Sequence, residues 1–297
     1  MRISTAQIQL TSVRNILDQQ TRLANIQNKI ATGKNIISPS DDPSGAARIL
    51  DLREVLAINE QYSRNADAVE ARLEIEEGTL TGITNVLQRA RELYVQGLNA
   101  TYSQSDRDSI ALEIRQNLGE LSGLANRKDA NGDYVFAGYS VGQPPISDDG
   151  AGTFTYDGDQ GQRQILIGPE RSIADSDNGF DLFFDIDGTT ENAFGLLYNL
   201  ADGLATDTQD SNNLNDIDAV IENIIGARSA IGARLNAVDS QRSVNEEVVF
   251  QTEKLLSDIE DLDFAEAITT LNLRQAGLEA AQQSYVRVQG LSLFNFI

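Results

Sequence analysis

PSGAARILDLREVLAINEQYSRNADAVEARLEIEEGTLTGITNVLQRARELYVQGLN, residues 43–99, decides the fold. Leu52, Ala66, Leu73, Leu80, Leu87 and Tyr94 share one position of a seven-residue repeat, and Val55, Tyr62, Val69, Ile83 and Ala90 share its companion. That doubled period belongs to a helix packed along its length on other helices. Unbroken over residues 43–99 it would be roughly 85 Å long at about 1.5 Å per residue, longer than a compact domain is wide. Asn59 and Glu76 are polar residues within the stripe. Gly78 and Gly82 each cost about 1 kcal/mol relative to alanine, but they lie off the stripe and leave its packing face intact.

The helix has a readable start. All five prolines (Pro39, Pro43, Pro144, Pro145 and Pro169) fall either just before it or in the middle of the chain, so the long segments between are free to be helical. Asp42 followed by Pro43 reads as an N-cap with proline in the first helical position. Asp41, Asp42 and Pro43 are therefore a helix-capping loop, and the adjacent carboxylates need no acid–base role. Upstream, Gly33 fits the left-handed stop of a first helix, which makes residues 34–42 a connecting loop.

That first helix carries Leu10, Val13, Leu17, Leu23, Ile26 and Ile30 at steps of three, four or six. At the other end of the chain Phe264, Leu271, Leu278 and Tyr285 repeat every seven. Both stripes are modest, with Gln7, Gln20, Gln27, Gln275 and Gln282 lining or flanking them. An isolated helix of this length is marginal in water unless its apolar face is covered. The cover is either the opposite terminal helix of the same molecule or a neighbouring subunit, and head-to-tail contact between subunits closes into a ring or continues as a helical tube.

Downstream of residue 99, the polar turn TYSQSDRD leads into a helix bearing Ile110, Ile114, Leu118, Leu121 and Ala125, and so short a connection implies an antiparallel return. Ile217, Ile224, Ile231 and Val238 begin a further long stripe, joined by Ile221 and Leu235 and continued by Val248, Leu255, Ile259 and Leu262. Turn-rich sequence is confined to the middle. Asn131 and Gly132 mark a turn before Tyr134, Phe136 and Tyr139. Residues 153–168 read as a hairpin, with Phe154 and Tyr156 facing Ile165 and Ile167 across an Asp157–Gly161 turn, and Asn178 with Gly179 suggest another turn. The fold class expected is mainly α, an elongated helical bundle or coiled-coil rod built from the two ends, with a small antiparallel β domain inserted between. Its divisions are terminal helices 1–42 and 260–297, a long-helix bundle 43–139 and 192–259, and a β domain 140–191.

Composition removes most chemistry. A net charge of −22 in 297 residues opposes binding to a phosphate backbone, which relies on Lys and Arg. Cysteine and histidine are absent, so there is no thiolate ligand, no disulfide and no imidazole base. Gly138, Tyr139, Ser140, Val141 and Gly142 spell a nucleophile-elbow motif, yet the motif needs a histidine and a following helix, and Gln143, Pro144 and Pro145 follow instead. Asp185, Asp187 and Gly188 imitate part of a calcium loop, but Phe183 and Phe194 occupy the outer ligand positions. Asp129, Asn131 and Gly132 fail the same comparison because Arg127 stands first. No catalytic, cofactor-binding or metal-binding residues are expected. No run is apolar and long enough to span a bilayer, and the opening residues lack a secretory h-region.

TGKNIISPSDDPSGAARIL (32–50) and NGDYVFAGY (131–139) resemble the signature segments of the flagellar hook-associated proteins of the hook–filament junction. MRIST at the start and LSLFNFI at the end are similar to that family as well, as is the layout of helical ends around a β insertion. Flagellin is the nearest relative family. Its first loop reads more like a serine–glycine stretch before DDAAG, and Asp41, Asp42 and Pro43 depart from that in favour of the junction family.

The resemblance implies a structural adaptor: a homo-oligomeric ring between an upstream hook-associated junction protein and flagellin. It also implies export without a cleavable signal, by the flagellar type III route with an export chaperone, to an extracellular place in the flagellum. Pattern and family layout together nominate Leu10, Val13, Leu17, Leu23, Ile26, Phe264, Leu271, Leu278 and Tyr285 as subunit-interface residues. The rival reading is a short flagellin that forms the filament itself.

Overall fold

A computed structural model describes residues 5–189, 191–210 and 212–290. The terminal MRIS and LSLFNFI segments lie outside those residues. In chain order the elements are α1 (Thr5–Thr32), α2 (Pro43–Gly97), α3 (Gln104–Ala125), β1 (Ile146–Asp148), β2 (Phe154–Tyr156), β3 (Gln164–Gly168), β4 (Arg171–Ala174), α4 (Gly179–Phe183), α5 (Ala193–Thr206), α6 (Asn213–Glu260) and α7 (Phe264–Gly290). The molecule is mainly helical, with a small antiparallel β region in its middle, as the periodicities predict.

The chain divides into two compact units, one of residues 1–58 with 247–297 and one of residues 59–246. The hydrophobic core belongs to the second. The repeat positions Ala66, Leu73, Leu80, Leu87 and Tyr94 of α2 are fully buried there, as are Val69, Ile83 and Ala90. They meet Ile114 and Leu121 of α3, Leu197 and Leu200 of α5, and Ile217, Ile224, Ile231 and Val238 of α6 within one apolar cluster. α3 starts on a reciprocal capping box, in which Ser103 accepts from the Asp106 amide and Asp106 accepts from the Ser103 amide. Gly78 has nothing near its missing side chain, whereas a Cβ on Gly82 would come within 3.3 Å of Leu124 on α3.

The middle region departs from the sequence reading. Phe154–Tyr156 and Gln164–Gly168 do not pair with each other. β2 instead pairs with β1, placing Ile146 opposite Tyr156, and β3 pairs with β4, placing Ile165 opposite Ile173. Asp159 is the reason the intervening segment is no hairpin turn. Its carboxylate accepts the Gly161 amide at 2.7 Å but also reaches back to the Tyr139 amide at 2.8 Å, stapling residues 157–161 to the FAGY segment. Asn178 and Gly179 start a helix rather than a turn between strands, because the Asn178 side chain caps α4 through the Asp181 amide at 2.9 Å. α5 is a further helix that the stripes did not disclose, capped by Asn192 and packed on α3.

Candidate assembly interface

Within the unit of residues 1–58 and 247–297, the loop after α1 is shaped by its own sequence. Gly33 takes φ +71 and ends α1 with its amide on the Lys29 carbonyl at 2.9 Å. The Asp41 carboxylate collects the Ile37 and Ser38 amides at 3.2 and 3.0 Å, closing the loop on itself. Asp42 caps α2, accepting the Ser44 amide at 3.0 Å and the Ser44 hydroxyl at 2.8 Å. The Gly45 amide, then Ser44, hold the Asp42 carboxyl below the usual carboxylate range. Pro43 needs no amide partner in the first turn. Gly45 completes the motif: a Cβ there would meet Ile36 at 2.5 Å and the Asp42 carboxylate at 2.6 Å.

The loop is tied to the end of α6. Asn35 donates to the Glu260 carbonyl at 2.7 Å, and Leu262 donates to the Gly33 carbonyl at 3.0 Å. The buried Glu260 carboxylate takes Arg53 from α2 at 2.7 Å and also pairs with Lys34. The hydrogen bond from Lys34, then that from Arg53, keeps its carboxyl below the ordinary value despite burial. Asp263 then caps α7 through the Ala265 and Glu266 amides at 2.8 and 3.1 Å. Neither Arg53 nor Glu260 carried any signal in the sequence, since nothing local joins them. Gly45 did carry one, as a glycine in the first turn of a helix.

α1 packs on α7, so the terminal helices do pair inside one molecule. Their seam is thin. Ile16, Leu23, Ile26 and Ile30 of α1 and Leu271, Leu278 and Tyr285 of α7 are half-buried, with Gln19, Ser12 and Arg274 among them. The nominated residues therefore fall into two sets. Leu23, Ile26, Leu271, Leu278 and Tyr285 are brought together on this seam. Leu10, Val13 and Leu17 stand on the outer side of α1, and Phe264 at the start of α7, at 69, 39, 56 and 50 % exposure.

This unit also lacks a core of its own. Among the described residues, Ile49 and Ala267 are its only buried large or small apolar side chains, whereas thirteen of the nineteen exposed large hydrophobics belong to it. The repeat that is dry from Ala66 onward along α2 is half-buried at Leu52 and exposed at Val55. Along α6 Ile217, Ile224, Ile231 and Val238 are dry; beyond them the same position is taken by the buried polar Asn245 and Thr252, while Val248 is half-buried and Leu255 exposed. Ile36, Ile37, Pro39 and Leu50 line a cleft of about 210 Å³, with Lys34 and Arg53 at its edge. Apolar exposure is therefore concentrated on this unit.

The residues of the chemistry-bearing motifs tie turns and loops together. Ser140 donates to the Asp159 carboxylate at 3.1 Å, and Gly138, at φ +65, sits against the Asp159 carbonyl. Asp129 gathers the Asn131 and Asp133 amides at 2.8 and 3.0 Å and anchors that turn to Arg72 of α2 at 3.1 Å. Asp185 and Asp187 are exposed beyond the end of α4.

Residues 3–141, which include both signature segments and the capped loop, match the model of the bacterial flagellin N-terminal helical region. Flagellar hook-associated protein 3 of Escherichia coli (strain K12) is 28 % identical over 99 % of this chain and 99 % of its own. The likeness to a hook-associated protein thus runs the length of the chain. Similarity to flagellin is confined to one part: flagellin of Salmonella rubislaw is 36 % identical across 46 % of this chain and 27 % of its own. The fold is shared with the solved structure of a flagellar hook-associated protein from Vibrio parahaemolyticus, at TM-score 0.68, 21 % identity, and coverage of 74 % of this chain and 100 % of that one.

Proposed function

We propose that the protein is a structural, non-catalytic part of the bacterial flagellum, an adaptor ring that joins the hook to the flagellin filament. The observation that carries this reading is the loss of apolar burial along two long helices: Ala66, Leu73 and Leu80 of α2 and Ile217, Ile224, Ile231 and Val238 of α6 are dry, whereas Leu52 and Val248 are half-buried and Val55 and Leu255 exposed. A unit with two buried apolar residues among the described ones and a thin α1–α7 seam is completed by its neighbours in an assembly. Leu10, Val13, Leu17 and Phe264 are the direct contacts between copies, and Leu23, Ile26, Leu271, Leu278 and Tyr285 hold the hairpin that presents them. The ring meets an upstream hook-associated protein on one side and flagellin on the other, after export through the flagellar channel with a chaperone and without a cleavable signal.

Full-length likeness to a hook-associated protein, against partial likeness to flagellin, favours the adaptor over a filament subunit. Seeding purified protein on isolated hooks tests it. A single added layer is the expected outcome, and a filament that keeps lengthening would make the protein a short flagellin instead. In cells lacking the protein, electron microscopy should show intact hooks beside detached filaments.

A further inference from the structure

Glu76 sits in the apolar repeat of α2 with its side chain wholly out of water. One carboxylate oxygen accepts the Asp177 amide at 2.9 Å, and the other has no hydrogen-bond partner among the described residues. Around it is a closed set of charges. From the segment after β4 come Asp175, itself fully buried, and Asp177; from α6 comes Arg234, paired with Asp177. From α2 comes Arg72, bonded to Asp175 at 3.3 Å and to Asp129 of the loop after α3 at 3.1 Å. Arg163, ahead of β3, donates to Asp175 at 2.8 Å. Arg228 of α6 is engaged elsewhere, by Glu77 at 2.9 Å.

Three arginines thus face Asp129, Asp175 and Asp177, and the half-buried Asp133 of the loop after α3 acts on Arg163 as well, so no cation is left over for an ionised Glu76. We propose that Glu76 is a proton-operated latch for the segment Ala174–Asn178: protonated, it adds no charge to the buried cluster and leaves the segment seated on α2 and α6; ionised, it adds an uncompensated buried charge and the segment opens. The second orphan fits this arrangement, because a buried oxygen of Asp175 also lacks a partner and a further negative charge beside it has nothing to neutralise it.

Burial, then the Asp177 carboxylate, push the Glu76 carboxyl up to about 8, against the opposing pull of the Asp177 amide and Arg234. An acid whose value is raised in the closed state and ordinary in the open state favours closure at low pH. Opening should rise by up to about tenfold per pH unit across the interval from the ordinary carboxylate value to about 8, then level off.

Hydrogen exchange of the full chain at pH 6, 7 and 8, corrected for the intrinsic rate, reads that opening in peptides covering residues 163–178. The unaltered protein should show opening rise by several tens of fold between pH 6 and 8, and Glu76→Gln should hold the same peptides closed throughout. Superimposable profiles for the two proteins would overturn the latch. Carboxyl-carbon NMR titration of the unaltered chain decides independently should Glu76→Gln not fold: titration of Glu76 near 8 supports the latch, and titration in the ordinary carboxylate range overturns it.

Discussion

Arg53 and Glu260 lie 207 positions apart and meet at 2.7 Å, where α2 and the end of α6 are pinned beside the loop that follows α1. Lys34 shares the same carboxylate, so one buried oxygen holds the three segments of a unit that has almost no apolar core. Glu260→Gln should therefore loosen residues 33–42 and 261–263 together. Its cost is about 1 kcal/mol, since both cations are half-exposed and well solvated. Backbone exchange at Asn35 and Leu262 is the measurement.

The same carboxylate gives a pH dependence of definite sign. Because Lys34 and Arg53 lower its folded value, its contribution is present above the unfolded carboxylate range and is lost as pH falls through the folded value. Acid titration below about pH 4.5 should weaken this unit in the unaltered protein more than in Glu260→Gln. Difference denaturation curves between the two proteins isolate the effect from other acids.

Two glycines on α2 should respond oppositely to alanine. Gly45→Ala drives a Cβ into Ile36 and the Asp42 carboxylate, and overpacking of that kind costs about 1–3 kcal/mol. Gly78→Ala meets nothing within 4 Å and should stabilise the protein by about 1 kcal/mol through helix propensity. Thermal unfolding of the pair checks both directions at once.

Ser140→Ala removes one exposed hydrogen bond to Asp159 and should cost about 0.5–1 kcal/mol without altering any hydrolytic rate. A lost esterase activity in that variant would reopen the nucleophile-elbow reading.

The helices were legible because their punctuation is local. Gly33, the Asp42–Pro43 cap and the seven-residue repeats each act over a few residues, and each stands where its sequence places it. Strand partners were not, because segments of three to five residues offer several pairings of similar worth, and the long-range Asp159 staple chose among them. α5 escaped notice for another reason. It has fourteen residues, so a seven-residue repeat has room to recur only once. The proposed interface is less plainly marked. Apolar residues continue to Leu52 on α2 and to Ile259 on α6, so the sequence does not mark where burial inside the molecule ends.

Assembly through the uncovered outer side of α1 is the central claim. It is tested most directly by complementing a strain that lacks the protein with a chain carrying Leu10→Asp, Val13→Asp and Leu17→Asp, and imaging the hook–filament junction. These side chains are already exposed, so circular dichroism should show an unchanged helical content. The variant is expected to be exported, and hooks are expected to carry no attached filament. Filaments firmly attached at normal number would contradict the claim.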